Sequence, residues 1–417
     1  MSLSWNGIRT VADLELRQRI RSKRWIIALI AWFVFIGLIT GIIIYSIHYS
    51  WAGSGCDPAS PYSYCPPPAG PIAFSIITMF VLGMGLVIAP TFTATSINGD
   101  RNQSTLATLQ ATRLSALEIA TGKLIAAWLT AGVFLVVALP FAILSMVLGG
   151  ISAWQVAVCF LVTFILVGIV CAIGLGWSAI LSRAAGSTVM TYLSTVVLTV
   201  ITPLLLLFSF PFIEDTQYTV QVWGVSDQVR DDYIYATNQF WNKNQGEEVD
   251  YSQAPDPPID QCHWTTQRVS ETRIDKVWWL ILPNPFVIVA DASPLPPAAK
   301  EDLSEYSDDA LSLIRYLVRE MAQAPQTERD ECLELYNYSP KYFVEYNNDG
   351  TRSLSLYNGE KVDLPDSPVK VQPVTARSSI WPWGLGFDLL LGGLFFGIAV
   401  RKLTIPYKTL ARGTRVA

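Results

Sequence analysis

Apolar residues in this chain are gathered into blocks rather than alternating with polar ones. Five long runs crowd into residues 25–213, a sixth covers 380–400, and a polar block of roughly 165 residues separates the fifth from the sixth. The runs are 25–48, 71–97, 123–148, 153–181, 188–212 and 380–400. Each is at least as long as the roughly 20 residues a helix needs to cross hydrocarbon. Asp388 is the only carboxylate inside them. Core helices of a large soluble protein rarely come as six runs of this length, so the pattern predicts six transmembrane helices. The first run is too long for a secretory h-region and no small-residue cleavage site follows it, so it is expected to be a retained span.

Shorter patterns fill the gaps. In residues 5–22, Ile8, Ala12, Leu16 and Ile20 step by four with Val11 beside them, while Arg9, Arg17, Arg19 and Arg21 supply a polar side. That is an amphipathic helix suited to the membrane interface. Within the polar block, 213–276 and 325–378 read as mixed short strands and turns. Residues 300–322 read as a helix with Leu311, Ile314 and Leu317 on one face. Between them, the apolar stretch Val277 to Ala290 is too short to span and is broken by Pro283 and Pro285. It either dips into the outer leaflet, caps the spans from outside, or lies buried in the outer domain. Gly83, Gly85, Gly168, Gly174 and Gly176 are small residues that let helices approach closely in lipid. Pro90 and Pro140 are expected to kink their helices.

Charge sets the orientation. Of the short connections, 1–24, 98–123, 182–187 and the 401–417 tail carry Lys and Arg; 49–70 and 149–152 carry none. Lys and Arg accumulate on the cytoplasmic side, so both termini are expected inside and residues 213–379 outside. Residues 214–378 hold 28 Asp and Glu against 14 Lys and Arg, or −14; the remainder holds 6 against 15, or +9, giving the overall −5. The basic inner face suits anionic headgroups. Nucleic-acid binding is a poor fit, because the basic residues are scattered along the membrane boundary. The expected fold is an α-helical polytopic membrane protein: six transmembrane helices, an N-terminal interfacial helix, and a mixed α/β extracytoplasmic domain between the fifth and sixth spans.

Four of the six cysteines fall on the expected outer side, where an oxidising compartment permits disulfides. The short Pro- and Ser-rich loop pairs Cys56 with Cys65, and the outer domain pairs Cys262 with Cys332. Cys159 and Cys171 lie within the fourth run as packing residues.

The chemistry of an active site is missing. There is no G-x-x-x-x-G-K-[ST] phosphate loop and no G-x-S-x-G elbow. His48 and His263 are the only histidines, too few for a His-based metal cluster, so no catalytic residue, metal ligand or cofactor site is assigned. Asp388 is a candidate of another kind, since intramembrane carboxylates are expensive. It is either functional, or a structural group that reaches outer headgroups or bonds a neighbouring helix.

The stretch "NGDRNQSTLATLQATRLSALEIATGK", residues 98–123, is built with more care than a slack loop. Ser104 is a plausible N-cap; Leu106 and Leu109 share a face of the two turns that follow. Ser115-Ala-Leu-Glu118 matches the capping box that starts a new helix. A short cytoplasmic helix held between two spans suits force transfer to a soluble partner. Asp100-Arg101, Thr105-Leu106, Leu109, Thr112, Leu114-Ser115, Glu118-Ile119 and Gly122-Lys123 resemble the first cytoplasmic loop of ABC type-two permeases, the membrane subunits of ATP-binding-cassette exporters. Asn102, Ser104 and Arg113 depart from that family's pattern, and the polar block is longer than the family's usual segment.

That resemblance implies a coupling loop in which Arg101, Thr105, Leu106, Leu109, Thr112, Ser115 and Glu118 face a separate ATPase subunit. It implies a permease dimer, with a second copy or a homologous permease, in the plasma membrane of a prokaryote. ATP and Mg would be bound by the partner, not by this chain. Two other readings remain: a membrane receptor or scaffold with a sensing ectodomain, and an ion-coupled carrier using Asp388.

Overall fold

A computed structural model describes residues 4–52, 69–102, 114–213, 215–244, 249–294, 309–324, 326–346, 352–357, 360–363, 368–369 and 378–404. Twelve α-helices and six strands are described. In chain order the helices are α1 (Trp5–Ile20), α2 (Lys23–Ala52), α3 (Ala69–Thr93), α4 (Ser96–Asn102), α5 (Ala116–Val147), α6 (Ala153–Ile180), α7 (Ala184–Val196), α8 (Thr202–Ser209), α9 (Asp227–Lys243), α10 (Pro285–Ala292), α11 (Ala310–Met321) and α12 (Trp381–Leu403). The strands are β1 (Asp215–Gly224), β2 (His263–Thr272), β3 (Glu328–Asp330), β4 (Tyr342–Tyr346), β5 (Arg352–Leu356) and β6 (Lys361–Val362).

Six helical segments are long and apolar enough to cross a membrane: Trp25–Ile47, Ala69–Asn102, Ala116–Val147, Ala153–Ile180, Ala184–Phe212 and Trp381–Leu403. This is the architecture of a multi-pass membrane protein. The helices run further than hydropathy alone suggests, because caps and not apolarity set their ends. Ser115 starts α5 seven residues before the apolar run that begins at 123; both halves of its capping box with Glu118 are formed. The second span breaks after Thr93, three residues beyond Pro90, and resumes as α4. The Ser178 hydroxyl of α6 accepts the Ile97 and Asn98 N–H groups at the start of α4, so that break is capped by another helix.

Contacts sort the span ends into two groups. At one end, Ile97, Ile119, Ala179 and Leu403 pack together, and Asn98 Nδ2 donates to Ser187 Oγ at 2.6 Å. At the other end lie Gly70 against the Gly149 carbonyl, Ser152, which caps α6, and Ile380 at the start of α12. Between them one apolar core runs from Trp32 through Phe74, Leu135 and Leu166. The sixth span lies along the fourth, where Gly176 meets the Phe395 ring so closely that a Cβ would sit 2.6 Å from it.

The described residues between the fifth and sixth spans hold two three-stranded sheets, ordered β2-β1-β3 and β4-β5-β6. β1 and β2 pair antiparallel over ten residues, from Asp215 opposite Thr272 to Gly224 opposite His263. Val220 and Val222 point inward and Gln221 outward, the period-two alternation of a half-buried strand. The Cys262–Cys332 disulfide is formed and ties the start of β2 to the turn after β3; Cys56 and Cys65 lie outside the described residues.

Two expectations for this region change. Residues 227–243, expected as strands and turns, form helix α9. Its sequence is poor in strong helix formers, but Val229, Tyr233 and Thr237 recur every four residues; Val229 and Tyr233 pack beside the disulfide and Thr237 is buried. The described helix in 300–322 is α11, which starts at Asp309, the residue that caps it with Oδ2. Its buried stripe is Leu311, Arg315 and Val318 with Ile314 beside it; Leu317 is 46% exposed. Leu317 lies about 100° around the helix from Val318, one residue's rotation. The open choice for Val277 to Ala290 is treated next.

Candidate functional site: a charged junction and an outer wedge

At the first end, α1 is not laid flat on lipid along its whole apolar stripe. Ile8, Val11 and Ala12 are buried against α5. Gly122 permits this approach: a Cβ there would lie 2.6 Å from Val11 Cβ. Leu16, further along, is half-buried and Ile20 is exposed.

Glu118 joins the two helices. Its Oε2 accepts the Ser115 N–H at 2.7 Å and its Oε1 accepts the Ser4 N–H at 2.6 Å. Ser4 and Ser115 are the N-cap residues of α1 and α5. One carboxylate, 4% exposed, therefore serves two helix N-termini at once. Negative charge is favoured at such ends.

One turn further along α5, Lys123 is 1% exposed. Its ammonium lies 2.5 Å from Glu15 Oε1 of α1 and 2.6 Å from Asp100 Oδ2 of α4. Arg19 completes the cluster at 3.5 Å from Glu15 Oε2. Expected on the polar outer side of α1, Arg19 instead turns inward. It donates to Thr130 Oγ1 and to the Phe92 carbonyl, both at 3.3 Å, and lies over the Phe92 ring. Burial pulls its guanidinium below the usual arginine range, opposed by Glu15. Two cations and two anions balance, which is how buried charge is tolerated.

The sequence-predicted coupling residues divide around this junction. Arg101 sits partly exposed in α4, and Ser115 and Glu118 form the capping box. Thr105, Leu106, Leu109 and Thr112 lie outside the described residues, within 103–113. Both stems of that segment are held: the N-terminal one by Asp100 on Lys123, the C-terminal one by Glu118 on Ser4. Glu15, Asp100 and Lys123 were not legible as a set, because they come from three separated stretches.

At the other end, the Val277 to Ala290 segment packs onto the spans. It forms a short 3₁₀ turn, Trp278–Ile281, and then α10. Ile288, Val289 and Ala290 join the core of the span bundle, and a Cβ on Gly384 would meet the Leu282 carbonyl at 2.3 Å. Asn284 caps α10 through Oδ1 and donates from Nδ2 to the Thr199 carbonyl and Thr202 Oγ1. Thr199 lies in the π-turn Val197–Ile201, where an α-helix is interrupted and its carbonyls are freed. Asp291, with a side chain 0% exposed, accepts Ile380 N–H at 2.7 Å, Trp381 N–H at 2.8 Å and Arg319 Nε–H at 2.5 Å. Ser293 Oγ accepts from Gln155 of the fourth span. Arg315 donates to the Ala290 and Ser293 carbonyls at the end of α10, where a cation suits the helix dipole. Burial, and next the neighbouring Arg319, pull Arg315 down to about 10, so it stays charged at neutral pH. Fifth, fourth and sixth spans are thus each bonded to one eight-residue helix. The signals were present in "LPNPFVIVADAS": an Asn-Pro helix start and a lone carboxylate at the end of an apolar run.

Asp388 lies on the buried side of α12, 1% exposed. Its Oδ1 has no hydrogen-bond partner among the described residues. No group of three or more metal-ligating side chains occurs among the described residues. No family model matches the chain, and no curated protein matches it.

Proposed function

We propose that this chain is the permease subunit of an ABC exporter, driven by a separate ATPase subunit that binds ATP and Mg. The observation that supports this best is the double anchoring of residues 103–113. A push on that segment would act on Asp100 at one stem and on Glu118 at the other. Both are wired to α1 through close charged contacts, Lys123–Glu15 and Glu118–Ser4. A lever needs a rigid bearing, and a buried polar junction supplies one where an apolar contact would slide.

In this reading both termini and the junction face the cytoplasm of a prokaryote. The sheet-bearing domain lies outside, and two permeases, identical or homologous, form the path. The chain has no catalytic role of its own and no nucleic-acid partner. Co-purification with an ATPase subunit tests the assignment. Leu106→Asp and Leu109→Asp are expected to abolish it while leaving membrane insertion intact. ATPase binding retained by both variants would remove the coupling role from this segment.

An ion-coupled carrier is the second reading, favoured by the buried Asp388, whose Oδ1 has no hydrogen-bond partner among the described residues. It requires proton- or sodium-driven uptake that is lost in Asp388→Asn. Export that is driven by ATP and indifferent to Asp388→Asn rules it out.

A further inference from the structure

A groove of about 720 Å³ runs between α2, α3 and α5, beside the charged junction. Its walls are apolar, formed by Trp25 and Trp32 of α2 and Met84 and Phe92 of α3, among others. Ser22 and Arg19 close one end, and among the described residues Arg19 is the only charged one lining it. A long apolar slot with a cation at one end matches an amphiphile with a long tail and an anionic head.

Three observations point to a membrane lipid as the occupant. First, the groove is open to the surroundings of α2, the least buried of the six candidate spans at 17%. Around a membrane helix that medium is lipid tails. Second, the charge at its end has no close counter-ion, since its other bonds go to the neutral oxygens of Thr130 and Phe92. The tight partner of Glu15 is Lys123 at 2.5 Å, and Arg19 stands off at 3.5 Å. A guanidinium with a loosely held counter-ion retains attraction for a phosphate, which it binds well through its fork of donors. Third, Trp25 stands edge-on to Phe92 and Phe134. This places an aromatic at the level of the guanidinium, as at a headgroup boundary.

We infer that the groove between the first, second and third spans binds a membrane lipid with an anionic headgroup, its phosphate on Arg19 and Ser22 and an acyl chain along Trp25 and Trp32. The site stands independently of the exporter reading. It would apply equally to a receptor or a carrier.

The tryptophans lining the groove provide the readout. Full-length protein in mixed micelles is titrated with phosphatidylglycerol or phosphatidylcholine carrying brominated acyl chains, which quench indole fluorescence on contact. The groove signal is the quenching lost in Trp25→Phe. Wild type is expected to show half-quenching at about fivefold less phosphatidylglycerol than phosphatidylcholine, the advantage one basic residue gives near anionic lipid. Arg19→Lys should keep most of that preference and Arg19→Gln should erase it. Ala31→Phe, which fills the groove without touching the junction, should abolish the Trp25 signal with both lipids. Equal quenching by the two lipids in wild type overturns the assignment, as does a preference that survives Arg19→Gln. Absence of any Trp25 signal in a dimeric wild-type sample also overturns it, since a second copy would then cover the groove.

Discussion

Lys123→Met is expected to destabilise the protein by about 2–3 kcal/mol and to loosen α1 and α4 together. Removing one partner of a fully buried pair costs about 3–5 kcal/mol, because a charge is left buried without compensation. The two carboxylates here are partly exposed, 16% for Glu15 and 23% for Asp100, so water recovers some of that loss. Met fills most of the space of the lysine stem, which keeps packing out of the comparison. The decisive control is the double variant Lys123→Met, Asp100→Asn. It removes one charge of each sign, leaves Glu15 facing Arg19, and should recover at least half of the loss, because the penalty comes from unpaired charge and not from missing attraction. Unfolding in increasing SDS, followed by tryptophan fluorescence, measures both. A single variant within about 0.5 kcal/mol of wild type, the range of an ordinary surface substitution, would mean that the junction is not held by its charges.

Asp291→Ala is expected to be at least as damaging, by about 3–5 kcal/mol. Three donors lose their acceptor at once: the Ile380 and Trp381 N–H groups and Arg319 Nε. Helix N-termini always leave donors to be satisfied from outside the helix. In α12 the second residue is Pro382, and no side-chain cap comes from the N-cap residue Ile380. Asp291 is therefore the cap of the sixth span, supplied by a helix 89 residues earlier in the chain. An unsatisfied buried donor costs about 1–3 kcal/mol, and the loss of the carboxylate partner of Arg319 adds to it. Arg319→Met should be milder, about 1–2 kcal/mol, because Asp291 keeps both backbone partners. Asp291→Asn should fall between, with one acceptor oxygen retained and the charge lost. The same SDS unfolding gives the order. Arg319→Met found more damaging than Asp291→Ala would make this an ion pair first and a helix cap second.

These two positions show why the junction and the wedge escape a reading of the chain alone. Lys123 sits five residues after a capping glutamate and at the edge of an apolar run, where a lysine normally snorkels to water. Only the arrival of Glu15 from α1 and Asp100 from α4 makes burial tolerable. Asp291 ends an apolar stretch of ambiguous role, and its partners lie 28 and about 90 residues away. α9 was hidden for a related reason. Its residues prefer other conformations, and it is held as a helix by the packing of Val229 and Tyr233 beside the disulfide.

What the chain determines by itself is what depends on neighbours in sequence. The six apolar runs are long enough to span whatever surrounds them, since helix length and hydrocarbon thickness decide that. The Ser115–Glu118 box is a four-residue event, and it forms. The amphipathic period of residues 5–22 produces a helix, although it cannot say how much of the apolar face meets protein and how much meets lipid. Tertiary structure decides which charges are buried, where a helix borrows its cap and which apolar segment becomes a wedge between spans. Each of those depends on a buried polar group finding its partner across distant parts of the chain, and in a low-dielectric interior that pairing determines whether the group can be there at all.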